Sequence, residues 1–184
     1  MNKLLKIIVS LIQIGGGLVG IGLIGCSLLT DQLPTSTAII HIAFIFVFLF
    51  GILAGLALLK KPKLGLSLSA VFQAMQIPIF KGSMAAYSMS SGACFNIYWH
   101  EAGFGFNFSF GSRYHFSIGN GNPWLIGVNI LALILFILLV REIWKEVTSV
   151  KTREFESSFE RQAQQFMRGQ DQQTHGSPLR NALH

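Results

Sequence analysis

Long apolar stretches, separated by short polar segments, dominate the pattern of this 184-residue chain. The four longest cover residues 4–29, 38–59, 64–80 and 124–140. A helix needs about 20 apolar residues to cross the hydrocarbon core of a bilayer, and each stretch reaches or approaches that length. We therefore expect four membrane-spanning helices, at about 4–29, 38–59, 64–86 and 124–143.

Between the third and fourth stretches, apolar and polar residues alternate, which is typical of half-buried strands. Short loops place Trp99 opposite Phe104 and Phe110 opposite Tyr114. The pattern predicts a three-stranded antiparallel meander at residues 94–119, with its aromatic side chains on one face. The other face would hold Asn96, Asn107, Ser109, His115 and Ser117.

Beyond the fourth stretch the chain becomes charged and rich in helix-forming residues. Phe155, Phe159 and Phe166 recur at helical spacing and form one stripe, so we expect an amphipathic helix at residues 144–168. Its polar face mixes Glu with Arg, which suits a groove on a protein better than an anionic membrane surface. The stripe therefore predicts a cytoplasmic protein partner. Residues 169–184 are polar and are predicted to be disordered.

Together these patterns indicate an all-α polytopic membrane protein. Residues 1–143 would form a four-transmembrane-helix bundle, with a small extracytoplasmic antiparallel β-meander between helices 3 and 4. A cytoplasmic C-terminal amphipathic helix and a short tail would follow.

Composition and charge add an orientation to this picture. Hydrophobic residues make up 51% of the chain and charged residues 12%, whereas soluble domains have about 25% charged residues. Of the 14 Lys and Arg residues, all but Lys81 and Arg113 flank the predicted spans on one side. Basic residues near span ends stay in the cytoplasm. We therefore predict a multi-pass protein of the bacterial cytoplasmic (inner) membrane with both termini in the cytoplasm, and no binding of nucleic acid.

Two glycine pairs at a spacing of four lie in the first two predicted spans, Gly16 with Gly20 and Gly51 with Gly55. Small residues at this spacing let helix backbones approach closely, and packing drives helix association in lipid. We expect seams of close packing here, either within one chain or between the copies of a homo-oligomer surrounded by membrane lipid.

Four of the polar residues inside the predicted spans are candidates for function. Gln73 and Gln76 share a face of the third span, Asn129 lies in the fourth, and His41 lies near the outer end of the second. Polar groups in lipid need hydrogen-bond partners, and they are functional candidates. Two uses remain open for them: hydrogen bonds between helices, or the polar lining of a pore.

No catalytic motif occurs in the sequence, which has no Gly-x-Ser-x-Gly, phosphate-binding glycine loop or His-Glu-x-x-His. His100, Glu101 and His115 do not align in the predicted register, so no metal and no other cofactor is predicted. Cys26 ends a lipobox-like Leu-Ile-Gly-Cys, and Cys94 lies in the outer segment. Lipidation of Cys26 and a disulfide between the two cysteines both remain open.

These observations favour a non-enzymatic membrane scaffold or sensor that self-associates and binds a cytoplasmic partner. The alternatives are a small pore or carrier lined by Gln73, Gln76 and Asn129, and a membrane enzyme acting on a lipid or quinone. The four-span layout is also similar to that of the small membrane subunit of the Kiwa anti-phage system. That resemblance implies a membrane subunit of a defence system.

Overall fold

The computed structural model describes residues 3–30, 34–119 and 123–175, within two compact units, Met1–Ile143 and Trp144–His184. Among the described residues the helices are α1 (Lys3–Thr30), α2 (Thr35–Lys60), α3 (Pro62–Gln76) and α4 (Ile130–His175). The strands are β1 (Pro78–Lys81), β2 (Ala85–Ser90), β3 (Ala93–His100), β4 (Gly103–Phe110), β5 (Arg113–Ile118) and β6 (Leu125–Asn129). The division between the two units falls within α4.

Within the described part of the chain, α1 and α2 are the two helices long and apolar enough to cross a membrane. Only 39% and 33% of their most apolar windows are buried inside the protein. Large side chains such as Leu11, Leu18 and Phe46 are 60–66% exposed. The core helix of a water-soluble protein would bury most of this surface, because exposing apolar area to water costs about 25 cal/mol per Å².

The expectation of an all-α bundle of four membrane-spanning helices is wrong. The third apolar stretch divides into α3 and β1, and the fourth divides into β6 and the first turns of α4. With 15 residues, α3 is about 22 Å long, whereas the hydrocarbon core is about 30 Å thick. The resemblance to the Kiwa membrane subunit was drawn from the four-span layout, and it loses that support.

Both of these stretches change between helix and strand at the same level of the molecule. Pro78 has no backbone N–H, so it cannot continue α3 and instead begins β1. The backbone N–H of Asn129 donates a 2.9 Å hydrogen bond to the carbonyl oxygen of Ile77, which joins the two points of change. A short apolar run is compatible with a helix or a buried strand, and here the pairing of β1 with β6 stabilises the strands.

The six strands form one antiparallel sheet in the order β4-β3-β6-β1-β2-β5. Ser90 pairs with Arg113 and Ala93 pairs with Phe110, so two unpaired residues interrupt each strand at the same place. Strands β2–β3 and β4–β5 are therefore the two sides of one long hairpin with a bend at those residues. We call its two parts the β2–β5 arm and the β3–β4 arm. β1 and β6 pair with each other between the arms.

The predicted register of β3 and β4 is confirmed, because Trp99 pairs with Phe104. The predicted pairing of β4 with β5 is wrong, because β5 pairs with β2. The reason lies at the bend, where Gly92 and Gly111 have φ values of 90° and 108°. This left-handed conformation favours glycine, and the N–H of Gly111 donates a 2.6 Å hydrogen bond to the carbonyl oxygen of Gly92. Both strands bend together, and β5 does not fold back on β4.

Alternation along the strands gives the sheet one apolar and one polar face, as the sequence predicts for the meander. On the β2–β5 arm the apolar face packs against helices: Met89 is 2% exposed and lies in a core cluster with Phe44, Phe48 and Phe72. On the β3–β4 arm the same face lies at the surface, where Phe106 is 71% exposed.

A second core lies where α2 meets α3. Val9, Leu58, Leu66 and Leu139 pack together there and join all four helices. The ammonium group of Lys6 donates a 3.0 Å hydrogen bond to the carbonyl oxygen of Leu59 at this end. We call it the basic end, because the start of α1 and the α2–α3 turn carry Lys3, Lys6, Lys60, Lys61 and Lys63, and Arg141 lies two residues after Leu139 within α4.

The second unit contains the charged remainder of α4. Phe155 is 72% exposed, whereas the side chains of Phe159 and Phe166 lie outside the described part of the structure. Helix α4 continues to His175 and so includes the start of the segment predicted to be disordered. Residues 176–184 lie outside the described residues.

Candidate functional site

A large open cleft lies over the polar face of the sheet. Its volume is about 1420 Å³, and all six strands and the N-terminal end of α2 contribute to its lining. Small-molecule sites usually measure about 300–1,000 Å³. The cleft therefore has room for a ligand larger than a typical metabolite.

One part of the cleft lining is a row of hydrogen-bond donors. β1, β2 and β5 supply its six residues, Lys81, Ser88, Ser90, Arg113, His115 and Ser117. The same strands also contribute Ile79, Met89, Tyr114, Phe116 and Ile118 to the lining. The hydroxyl oxygen of Ser117 lies 3.5 Å from Nε2 of His115. We call these six residues the donor wall. It contains two cations and no carboxylate, so its chemistry favours a negatively charged or acceptor-rich ligand.

The opposite wall is neutral and partly aromatic. β3 and β4 supply Asn96, Tyr98, His100 and Asn107. The ring of Tyr98 lies across β4, because a Cβ atom built on Gly105 would lie 2.9 Å from its Cζ. A Cβ atom on Gly127 would lie 2.7 Å from the Cβ of Tyr98. These two glycines leave the space in which Tyr98 lies, 5.7 Å from the ring of His100.

The start of α2 forms part of the rim, and it positions His41 there. Nδ1 of His41 lies 2.8 Å from the carbonyl oxygen of Thr37. Its ring meets the ring of Tyr114 edge-on, with centroids 5.4 Å apart. Thr37, His41 and Tyr114 all line the cleft. His41 therefore belongs to the cleft and not to the cluster that contains Gln73 and Gln76.

The charges of the cleft are unusual for this chain. Lys81 and Arg113 are the two basic residues that the sequence separates from the other twelve, and both line the cleft. Within the described residues no carboxylate forms an ion pair with either one, and Glu101 is the one acidic residue of the lining. These two cations, which have no carboxylate partner among the described residues, make this end of the molecule attractive to anions.

A second polar cluster is buried between α1, α3 and the bend of the hairpin. Its members are each at most 2% exposed, and they are Ser10, Gln13, Ser69, Gln73, Gln76 and Ser91. The hydroxyl of Ser69 donates to Oε1 of Gln13 over 3.0 Å. The backbone N–H of Ser91 donates to Oε1 of Gln76 over 2.8 Å. We call this cluster the buried polar layer.

The buried polar layer is not fully satisfied. Ser10 Oγ, Gln13 Nε2 and Ser91 Oγ have no hydrogen-bond partner within the described residues. Most buried polar groups are hydrogen-bonded, and an unmet one costs about 1–3 kcal/mol. These three atoms are therefore available to a water molecule or a polar ligand.

Asn129 has a different place from the one expected for it. Its Oδ1 accepts hydrogen bonds from the N–H groups of Ala132 and Phe95, over 3.3 and 3.4 Å. The first bond caps the N-terminus of α4, a preferred use of asparagine. Sequence reasoning missed Ser10 and Gln13, although they have the same spacing of three as Gln73 and Gln76.

The four predicted glycines all lie at close contacts within this chain. A Cβ atom on Gly16 would lie 2.6 Å from the backbone carbon of Ser91, and one on Gly20 would lie 2.7 Å from the ring of Phe48. The neighbours of the second pair are Phe72 for Gly51 and Ser10 with Gln13 for Gly55. The bend of the hairpin therefore packs against Gly16, whereas side chains or backbone of neighbouring helices pack against the other three glycines.

Among the described residues, the structure assembles no site for metal binding or for thiol chemistry. No group of three His, Cys, Asp or Glu side chains is placed to hold a metal ion there. His100 and His115 lie on β3 and β5, which are separated in the sheet by β6, β1 and β2. Cys26 is exposed and Cys94 is buried, and both are free thiols.

Comparison with other proteins adds no further identification. No protein-family model matches this chain, no curated protein matches it, and no solved structure matches it. The function must therefore be argued from the cleft, the buried polar layer and the surfaces of the molecule.

Proposed function

We propose that this protein is a non-enzymatic membrane sensor or scaffold. In this proposal α1 and α2 anchor it, the cleft receives a ligand on the outer side, and the charged part of α4 binds a cytoplasmic protein. The observation that carries the proposal is the inverted polarity of the β3–β4 arm.

A sheet in a water-soluble protein buries its apolar face and exposes its polar face. Here Trp99, Phe104 and Phe106 are 60–71% exposed, while the polar residues Asn96 and Tyr98 of the same arm line the cleft. Both faces are stabilised when lipid or a second copy covers the outside and water or a polar ligand fills the inside. Membrane β-barrels distribute their residues in the same way.

The two ends of the first unit support an orientation across the cytoplasmic membrane of a bacterium. Lys6 and Lys60 lie at the basic end, whereas the cleft lies beside Ser36 and His41 at the opposite end of α2. Basic residues favour the cytoplasmic side. The cleft would then be open to the outer side of the membrane.

Cysteine labelling in intact cells tests this orientation. In a Cys26→Ser background, Met84→Cys should react with an impermeant maleimide, because Met84 is 84% exposed beside the sheet. Lys61→Cys, exposed at the basic end, is the matched control and should react only after the cells are opened. If Lys61→Cys is labelled in intact cells while Met84→Cys is protected, the proposed orientation is wrong.

The cytoplasmic partner is tested by truncation after Thr152. Exposure of Phe155 and the mixed charges around it suit a groove on a protein. The truncated protein should insert and label as the full chain does, yet lose a specific cytoplasmic protein that co-purifies with the full chain. If recovery of that protein is the same for both, the charged helix is not the contact.

A small pore is the second candidate, and the unmet polar atoms of the buried polar layer favour it. The water molecules of a hydrated pore would supply hydrogen-bond partners to Gln13 and Ser10. In liposomes, a pore should conduct small solutes, and Gln73→Leu should abolish the flux without unfolding the protein. A sensor should give no flux and should tolerate Gln73→Leu.

A further inference from the structure

We infer that the donor wall binds a ligand with two or more phosphoryl groups. This inference rests on the proposed function, since it names the ligand class of the same cleft. The juxtaposition that supports it is the row of Lys81, Ser88, Ser90, Arg113, His115 and Ser117 along β1, β2 and β5.

The chemistry of the wall selects an oxyanion. Two side chains are permanent cations at neutral pH, three are hydroxyls, and one is an imidazole with two ring nitrogens. A phosphoryl group offers three strong acceptor oxygens and a charge of about −1.5 to −2. Lys and Arg are the residues that bind such groups most often. A neutral ligand would not neutralise either cation.

The spacing of the two cations favours an extended ligand. Lys81 pairs with Ala86, and Ala86 pairs with Ser117, so two strand spacings of about 5 Å separate Lys81 from β5. Arg113 lies four residues from Ser117, or about 13 Å along the strand. The two Cα atoms are therefore about 16 Å apart, so one phosphate ion contacts both cations only if both side chains extend toward each other across the wall. Several linked phosphoryl groups can engage both cations and the hydroxyls between them.

The size and charge of the rest of the cleft agree with such a ligand. The cavity of about 1420 Å³ accommodates more than an inorganic ion. The opposite wall offers Tyr98, His100 and two Asn side chains, which can contact an uncharged part of the same molecule. Within the described lining, Glu101 is the one carboxylate that would repel the anion.

Binding of inorganic tripolyphosphate provides the test. The full-length protein, in phosphatidylcholine nanodiscs, should bind it measurably by calorimetry and more tightly than orthophosphate. Lys81→Gln and Arg113→Gln should each weaken binding about tenfold, because each removes a charge-assisted hydrogen bond. Lys61→Gln, which removes a cation at the basic end, should leave the affinity unchanged.

Two results would overturn the inference: no binding of tripolyphosphate, or equal weakening by Lys61→Gln and Lys81→Gln. Nanodiscs that contain cardiolipin, a lipid with two phosphoryl groups, separate two sources of the ligand. Loss of tripolyphosphate binding in these discs identifies a lipid headgroup as the occupant, and retained binding identifies a soluble ligand. If Met84→Cys labels from outside but tripolyphosphate does not bind, the ligand class fails while the anchored sensor stands. If Met84→Cys is protected, the proposed function fails whatever the anion does.

Discussion

The two arms of the bent hairpin share one register and one alternating pattern, yet they meet different surroundings. On the β2–β5 arm, the apolar face covers α2 and α3, and Met89 is 2% exposed. On the β3–β4 arm, the same face is uncovered, and Phe108 and Phe110 are 58% and 76% exposed. The difference shows that sequence alternation sets which residues share a face, whereas the bend determines what that face contacts.

The largest effect is expected where the packed arm enters the core. Met89→Ala should lower the free energy of unfolding by about 2–5 kcal/mol, because it opens a cavity among Phe44, Phe48 and Phe72. Ile118→Ala, on the same face of the same arm but 73% exposed, should change stability by less than about 0.5 kcal/mol. Thermal unfolding of both variants in one detergent measures the difference. Equal losses would show that this arm is not packed as described.

The contact between α1 and the bend ranks next. Gly16→Leu should cost about 1–3 kcal/mol, because its side chain would meet the backbone of Ser91 and Gly92. The hydroxyl of Ser112 also donates to the carbonyl oxygen of Gly16 at this point. Gly15→Leu is the matched control, since a Cβ atom there has nothing within 4 Å. If both variants melt at the same temperature, the bend does not rest on Gly16.

A smaller effect is expected at the hydroxyl that joins the packed arm to α3. The hydroxyl of Tyr87 donates a 2.6 Å hydrogen bond to the carbonyl oxygen of Met75. Tyr87→Phe should cost about 1 kcal/mol, the net worth of such a bond. Denaturant unfolding near pH 7, with wild type and variant in the same detergent, measures this cost.

The same residue makes a prediction about alkaline pH. Burial raises the pKa of Tyr87 above its ordinary value of 10.0, so the folded state holds the phenolic proton more tightly than the unfolded state. Its contribution to stability is complete below pH 10 and is lost as the pH rises through the folded pKa. The stability of Tyr87→Phe should therefore fall less above pH 10 than that of the wild type. An identical alkaline decline would contradict the assignment.

The smallest change in stability is expected on the uncovered β3–β4 arm, where a substitution should instead affect self-association. Phe106→Ser should alter unfolding in detergent by less than about 0.5 kcal/mol, because Phe106 is 71% exposed. If a second copy covers this face in the bilayer, the variant should show a lower mass in nanodiscs by mass photometry. An unchanged mass would leave lipid as the cover of the β3–β4 arm.

The sequence predicts local features of this fold better than distant ones. Alternation and a short loop were enough to pair Trp99 with Phe104, because both lie in one hairpin. The strands β1 and β6 could not be found, since Pro78 and Val128 are paired across 50 residues and lie in runs as apolar as a membrane span. The span predicted at residues 64–86 would continue as a helix through Pro78, whereas Pro78 begins β1.

The candidate site was predicted only in part for the same reason. Charge alone separated Lys81 and Arg113 from the other basic residues. The donor wall also needs Ser88 and Ser90 on the strand next to β5, and the meander pattern gave β5 a different neighbour. For the buried polar layer, the sequence pointed to Gln73 and Gln76 on α3. Its members on α1, Ser10 and Gln13, could not be predicted, because the sequence does not show which face of α1 packs against α3.

The place of β6 in the sheet sets the order in which the chain can be assembled during synthesis. The β3–β4 arm pairs residues close in sequence, and its short loop closes at low entropic cost. The β2–β5 arm then extends the same hairpin. β6 emerges later and pairs with β3 on one side and β1 on the other. Until residues 125–129 leave the ribosome, the sheet exists as two pieces with four open edges, which are prone to wrong pairing. One five-residue strand then closes two of those edges in a single step.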